Sequence, residues 1–356
     1  MITKRRMNPQ SNKKVLVGMS GGVDSSVTVA LLQEQGYEVI GATMLVLKEE
    51  CRNNRVEQEA KEVAKQLGIE HISLHLEETF DERVIQAFIA EYLQGRTPNP
   101  CVLCNRIVKF EELLQYAISK DIPYIATGHY ARVEEKDGRY LLRKSESKTK
   151  DQTYVLYNLK QEQLAHTIFP LGEYNKDRVR ELAKKYELAV AEKKDSQEIC
   201  FVADNDYGKF IAENIDSDIL PGNFVDTKGN ILGEHKGIYY YTVGQRKGLG
   251  IASNKPLYVV DVDIEKNEVV IGDDDETFGN TLIARELNWV AIEKLDHEMK
   301  VSAKIRYGAK EAPATIKPLE DGRVEVVFDT PQRAITSGQS VVFYDDEYVI
   351  GGGIIE

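Results

Sequence analysis

Val15-Leu16-Val17-Gly18-Met19-Ser20-Gly21-Gly22-Val23-Asp24-Ser25-Ser26 reads as an apolar strand, a glycine-rich turn and the first residues of a helix. Val27, Ala30 and Leu31 continue at the spacings of one helix face, and Gly36 supplies the stop. In the turn, Gly21 and Gly22 let the backbone aim its N–H groups at a ligand, and Ser20 and Ser25 add hydroxyl donors. The helix behind them directs its positive end at the same point, so the site wants an anion. The turn carries no lysine of the Walker A kind, so it is not built to grip a γ-phosphate.

Downstream, short apolar runs keep alternating with helix-period segments. Val39 to Val46 reads as a strand; Val56, Ala60, Val63, Ala64 and Leu67 mark a helix closed by Gly68; Ile72 to Leu76 is again a strand. Val84, Ile85, Phe88 and Ile89 line a third helix, and Phe110, Leu113, Leu114 and Ala117 a fourth, before the strand Tyr124-Ile125-Ala126. The pattern predicts an α/β fold, a doubly wound parallel sheet. From about Tyr207 the texture changes to Pro/Gly punctuation with tyrosines, and β elements are expected at Ile238 to Thr242 and Tyr258 to Val262. After about Thr277 a period-two pattern with turns at Asp321-Gly322 and Asp345-Asp346 predicts a C-terminal β-barrel. The expected organisation is a first domain over 1–205, a small β-rich central domain over 206–276, and the barrel over 277–356. Residues 1–12 and the polar run Ser145 to Lys150 are expected to be weakly ordered.

The 356 residues include 46 Lys and Arg against 58 Asp and Glu, a net charge of -12. That balance argues against non-specific adhesion to DNA or anionic membranes, while leaving room for a local basic groove on RNA. No stretch approaches the ~20 apolar residues of a membrane helix, and the N-terminal segment carries no apolar core, so a cytoplasmic protein is expected. Four cysteines are too few for a disulfide scaffold, which directs attention to redox, metal or catalytic roles in a reducing compartment.

Three of these thiols stand in informative places. Cys101 and Cys104 lie in Asn99-Pro100-Cys101-Val102-Leu103-Cys104-Asn105, a loop running into the fourth helix, and a helix N-terminus favours the thiolate of Cys104. Cys200 lies far along the chain in Asp195-Ser196-Gln197-Glu198-Ile199-Cys200-Phe201. Three readings stand side by side: Cys104 and Cys200 as a sulfur-transfer pair, all three as ligands of a metal or cluster, or all three inert. One C-x-x-C is weak support for zinc, which needs four ligands in a closed site. Cys51, in a charged stretch, reads as a bystander.

Several blocks occur in a fixed order: the glycine-rich turn, Gly95-Arg96-Thr97-Pro98-Asn99-Pro100, Cys104-Asn105, Thr127-Gly128-His129-Tyr130-Ala131-Arg132, Lys150-Asp151-Gln152-Thr153-Tyr154, Asp195 through Phe201, and Tyr241-Thr242-Val243-Gly244-Gln245-Arg246-Lys247-Gly248-Leu249-Gly250. Together with Lys304-Ile305-Arg306-Tyr307 and Ser337-Gly338-Gln339-Ser340, they make the chain closely resemble the bacterial tRNA-specific 2-thiouridylases, over nearly its whole length. That family belongs to the ATP-pyrophosphatases, which cleave ATP between the α and β phosphates. It puts sulfur on C2 of the wobble uridine of tRNAs for Lys, Glu and Gln, with sulfur from a cysteine desulfurase relay.

The resemblance implies a role for each matched residue. Gly18, Met19, Ser20, Gly21, Gly22, Val23, Asp24 and Ser25 would hold ATP, with Met44 and Gly128 at neighbouring strand ends and Asp24 helping to position Mg²⁺. Cys200 would carry the persulfide, and Cys104 would complete sulfur release and be left disulfide-bonded to it. Asn99, Pro100 and Cys101 would face the target base; His129, Lys150, Asp151 and Gln152, and from the barrel Arg306, Tyr307 and Gln339, would contact tRNA. Cys101 departs from the family, where many members have Asp, a carboxylate whose titration a thiol does not reproduce. The same departure completes the three-cysteine set that in some relatives is linked to a [4Fe–4S] cluster; the persulfide pair is the preferred expectation. The competing classes are an ATP-pyrophosphatase amidotransferase or ligase, which needs neither Cys104 nor Cys200, and a non-catalytic RNA-binding protein.

Overall fold

The computed structural model describes residues 13–48, 54–191, 193, 199–202, 206–215 and 220–356. Residues 1–12, Cys51 and residues 195–198 of the block before Cys200 lie outside the described residues. The chain divides into two compact units. One comprises the chain up to Arg83, Val102–Gln197 and Glu347–Val349; the other comprises Val84–Cys101, Glu198–Asp346 and Ile350–Glu356.

The first unit is built on strands β1 (Lys14–Gly18), β2 (Glu38–Leu45), β3 (Glu70–His75) and β4 (Tyr124–Thr127). After the hairpin β5 (Ala131–Lys136) and β6 (Arg139–Lys144) comes the short β7 (Thr167–Ile168). The sheet order is β3-β2-β1-β4-β7 with every neighbour parallel. The chain therefore winds outward from β1 to one side through β2 and β3 and resumes on its other side with β4, a doubly wound sheet whose switch point is the carboxyl end of β1 and β4. There Gly18 is level with Thr127.

Strand alternation sends β1 side chains to both faces. Val15 and Val17 join one apolar cluster with residues of helices α1 (Val23–Glu34) and α2 (Asn54–Leu67) and with Val179 and Leu182 of the helix Lys176–Lys185. A Cβ on Gly18 would instead meet Leu113 of the helix Leu113–Ser119 on the other face. The β5–β6 hairpin turns at Asp137 and Gly138, both at positive φ, and Arg143 is level with Tyr348. Ser145 and Ser147 are buried, with the Ser145 hydroxyl donating to Ser147 O at 3.1 Å, which corrects the expectation of weak order at Ser145 to Lys150.

In the second unit, the helix Gln86–Leu93 places Phe88 and Tyr92 in an aromatic cluster with Phe201, Tyr207 and Phe210. A four-stranded sheet joins β8 (Gly222–Asp226), β9 (Ile231–His235), β10 (Tyr258–Asp263) and β11 (Glu268–Gly272) in the order β10-β11-β8-β9. Ile238–Tyr240 is a 3₁₀ turn rather than the expected strand. Gly237 at φ 133° breaks the extended course, and Ile238 and Tyr241, three apart, enter the same core. Six further strands, β12 (Phe278–Trp289), β13 (Met299–Lys304), β14 (Ala312–Pro318), β15 (Val324–Arg333), β16 (Ser340–Asp345) and β17 (Tyr348–Ile355), run β12-β15-β14-β13-β16-β17 and close where β17 pairs back with β12. Among the described residues no helix is long and apolar enough to cross a membrane.

Candidate active site

The glycine-rich turn emerges from β1 at the switch point and is fixed from below. Met19 N–H donates to Ala42 O at 2.7 Å and Met19 O accepts from the Thr43 hydroxyl at 3.0 Å, so the turn leaves the sheet in one direction. Met19 and Val23 are buried and serve by packing. Ser25 ties the turn together: its hydroxyl accepts from Ser20 N–H at 3.2 Å and donates to Gly22 O at 3.2 Å. Gly21 sits at φ 63°, and a Cβ there would lie 2.7 Å from Val56 O.

The neighbouring strand ends close on the same turn. A Cβ on Gly128 would stand 2.8 Å from Ser25 N and 2.9 Å from the Asp24 carbonyl carbon, so the β4 exit touches the backbone where α1 begins. Met44, near the end of β2, has its methyl 3.3 Å from a Cβ position on Gly18. Gly18 to Ser25, Met44 and Gly128 are thus brought together in the first unit.

Two cations that sequence reasoning missed converge here. Lys176 Nζ lies 2.9 Å from both carboxylate oxygens of Asp24, and the Tyr130 hydroxyl donates to the same carboxylate at 2.8 Å. The Lys176 side chain is only 11% exposed. Lys193 Nζ donates to Gly21 O at 3.0 Å and pairs with Glu59 of α2; this lysine, followed by Arg55, holds the Glu59 carboxyl below its usual range. The available signal for Lys176 was a capped helix: Asn175 Oδ1 accepts from Arg178 N at 2.8 Å, and Val179, Leu182 and Ala183 form its buried face.

The thiols occupy simpler surroundings. Asn99 Oδ1 accepts from Cys101 N–H at 3.1 Å and Pro100 opens the helix Pro100–Cys104, which continues as a π-wound stretch, Asn105–Glu112. Cys101 is exposed and counted with the second unit; Cys104 is half-buried and counted with the first. Cys200 is exposed in the second unit, next to Phe201, whose ring packs on Phe88 and Phe210 at 5.3 Å from each. Among the described residues no group of three or more His, Cys, Asp or Glu side chains is gathered to hold a metal.

Of the residues expected at tRNA, His129 is 8% exposed, its Nδ1 2.8 Å from the Thr127 hydroxyl and its ring beside Phe110 and Phe169. Burial, then the nearby Lys109 charge, pushes its pKa well below the usual imidazole value, so the ring is neutral and turned inward. Asp151 accepts from Ser145 N–H at 3.0 Å and from the Thr153 hydroxyl at 2.6 Å, and Gln152 Oε1 accepts from Tyr130 N–H at 2.9 Å. These two side chains shape the turn after the half-buried Lys150. In the second unit Arg306 donates to Arg333 O at 3.1 Å, Tyr307 is 46% exposed, and Gln339 Nε2 donates to Thr97 O at 2.6 Å. Arg246 and Lys247 are exposed on the turn closed by Gly248.

Three family models match the chain in series: a tRNA methyl transferase HUP domain over residues 13–204, a tRNA methyl transferase PRC-barrel domain over 208–273, and an aminomethyltransferase β-barrel domain over 279–355. Among curated relatives, the tRNA-specific 2-thiouridylase MnmA 2 of Caldanaerobacter subterraneus subsp. tengcongensis is 58% identical across 98% of this chain and 99% of its own. The tRNA-specific 2-thiouridylase MnmA of Acetivibrio thermocellus is 59% identical across 97% and 100%. That of Clostridium botulinum (strain Alaska E43 / Type E3) is 56% identical across 97% and 98%. With full-length identity at this level and all three domain models matched in order, the chain belongs to the family of tRNA-specific 2-thiouridylases.

Proposed function

We propose that this protein uses ATP to replace the C2 oxygen of the wobble uridine in tRNAs for Lys, Glu and Gln by sulfur. Family membership over the whole length supports the substrate; the observation that carries the chemistry is a lysine-free glycine-rich turn at the switch point of a parallel sheet. The C2 carbonyl of uracil is urea-like and its oxygen a very poor leaving group. Transfer of AMP to that oxygen, with release of pyrophosphate, turns it into a good one. The N–H groups of Gly18 to Ser25 and the start of α1 are suited to the phosphates, and Met44 and the backbone at Gly128 to the adenosine end. Mg²⁺ commonly takes one or two carboxylates plus substrate phosphates, and Asp24 is a carboxylate suited to that role.

Sulfur is then delivered by the thiols. The terminal sulfur of a persulfide on Cys200 bonds to C2 and AMP departs; the Cys104 thiolate attacks the inner sulfur, freeing the 2-thiouridine and leaving a Cys104–Cys200 disulfide. An external dithiol reduces that disulfide, and the next sulfur comes from a cysteine desulfurase relay. Asn99, Pro100 and Cys101 face the target base in this reading. Lys150, Arg306 and Tyr307 supply tRNA contacts, and the turn shaped by Asp151 and Gln152 presents Lys150. His129 supports that region from within. The three domains 1–205, 206–276 and 277–356 divide the work between chemistry and tRNA binding.

The test is nucleoside analysis of unmodified tRNA incubated with the protein, Mg-ATP and a persulfide source. 2-Thiouridine at the wobble position is expected. With Cys200→Ser, adenylated tRNA is expected to form without thiolated product. ATP-dependent product formation that survives both Cys104→Ser and Cys200→Ser would transfer the protein to the ligase class, and pyrophosphate release indifferent to tRNA would remove tRNA as the substrate.

A further inference from the structure

A turn that binds polyphosphate without a lysine of its own still has to offset the charge of the departing pyrophosphate. Of the two lysines that reach it among the described residues of the first unit, one binds the carboxylate at the start of α1. Lys176 opens the helix Lys176–Lys185, and its Nζ sits 2.9 Å from each oxygen of Asp24, the second residue of α1. Two features suggest more than a staple between helices. The lysine side chain is 11% exposed, while its partner Asp24 is 30% exposed and open to exchange. Asp24 also has a second donor, the Tyr130 hydroxyl at 2.8 Å, which holds the carboxylate in place if the lysine leaves it.

We propose that Lys176 is a phosphate-binding residue of this site, held by Asp24 and passed to the pyrophosphate when the cation accompanying ATP takes the carboxylate. This deepens the reading of the turn as an ATP site and rests on it. An ammonium next to the α1 N-terminus adds a mobile positive charge to the fixed backbone dipoles, where negative charge builds on the leaving group. The loop's own sequence then needs no lysine, because the fold brings one from residue 176.

The test is pyrophosphate affinity measured by calorimetry, with Mg²⁺ for the full chain, K176Q and K176R, and without divalent metal for the full chain, D24N and D24N/K176Q. Loss of a charged hydrogen-bond donor to phosphate predicts about tenfold weaker binding in K176Q. K176R, which keeps the cation, restores most of it. D24N removes the carboxylate that holds the ammonium and tightens binding, and that gain disappears in D24N/K176Q. If Lys176 only staples Asp24, D24N changes affinity equally with and without the lysine, and that result overturns the proposal, as does unchanged affinity in K176Q. Where K176Q folds poorly, D24N against D24N/K176Q, in which no carboxylate is left without its cation, decides the matter. A wild-type chain that neither binds pyrophosphate nor releases it from ATP in the presence of tRNA would remove the nucleotide reading, and this one with it.

Discussion

A methyl group at Gly128 would lie 2.8 Å from the Ser25 amide nitrogen, closer than real Cβ contacts come. The obstacle is backbone at the start of α1, which no rotamer change can move aside. Gly128→Ala is therefore expected to push the β4 exit away from the turn, raising KM for ATP by on the order of tenfold or more. tRNA affinity stays unchanged. Pyrophosphate release against ATP concentration, with tRNA binding measured in parallel, checks the split. The adjoining His129 makes a pH prediction. Its neutral ring is buried in the folded chain, while in the unfolded chain it takes a proton below about pH 6.5. The unfolded state thus binds more protons in that range, and stability is full above it and falls as pH drops through it, by up to about 1.4 kcal/mol per pH unit. Urea unfolding between pH 7.5 and pH 5.5 should show a shallower loss in His129→Asn than in wild type; equal slopes would place the titration elsewhere. The sequence singled out Gly128 and His129, but whether a histidine after a strand points outward or inward depends on the Phe110 and Phe169 rings that receive it.

At the scale of elements, β1, the turn and α1 were legible because strand, glycines and helix period are consecutive and local. The barrel strands were legible for the same reason, each alternating with its own period of two. The β5–β6 hairpin was not, although Asp137-Gly138 is a hairpin signal, because its tip interrupts what looked like uniform strand and helix alternation. Ile238 to Tyr241 misled in the opposite way: four aromatic or β-branched residues suggest a strand, yet positive φ at Gly237 turns them into 3₁₀ spacing. The helix Lys176–Lys185 shows how an element serves a site. Asn175 satisfies the Arg178 amide, and removing that cap by Asn175→Ala is expected to cost about 1 kcal/mol. Because Lys176 is the first residue inside, fraying there should also weaken pyrophosphate binding, whereas an exposed mid-helix change such as Arg180→Ala should leave that binding intact. Calorimetry on both variants makes the comparison.

At the scale of the molecule, the segment Val84–Cys101 is part of the unit that contains the central sheet and the barrel, although in the sequence it sits among the strands of the parallel sheet. Thr97 shows what fixes it: its N–H donates to Ser337 O at 2.8 Å, its carbonyl accepts from Gln339 at 2.6 Å, and its hydroxyl lies 3.2 Å from that of Thr242. Periodicity reports an element's own shape and not its partner 240 residues away, so this anchoring could not be read from the blocks, even though both Thr97 and Gln339 fell inside them. Gly338 is the position where the anchoring is most exposed to substitution. It has φ 86°, and a Cβ would lie 2.9 Å from both the Arg96 Cβ and the Thr97 nitrogen. Gly338→Ala combines left-handed backbone strain of about 1 kcal/mol with a clash against main chain. Its expected result is a displaced Gly95 to Cys101 segment: slower thiolation of tRNA and a lower unfolding temperature, with pyrophosphate affinity at the turn in the first unit retained. Ser337→Ala, which keeps the carbonyl that Thr97 uses, should behave as wild type in all three measurements. Equal loss of thiolation and pyrophosphate binding in Gly338→Ala would mean that the barrel's hold on Thr97 supports the whole chain and not the segment that carries Asn99, Pro100 and Cys101.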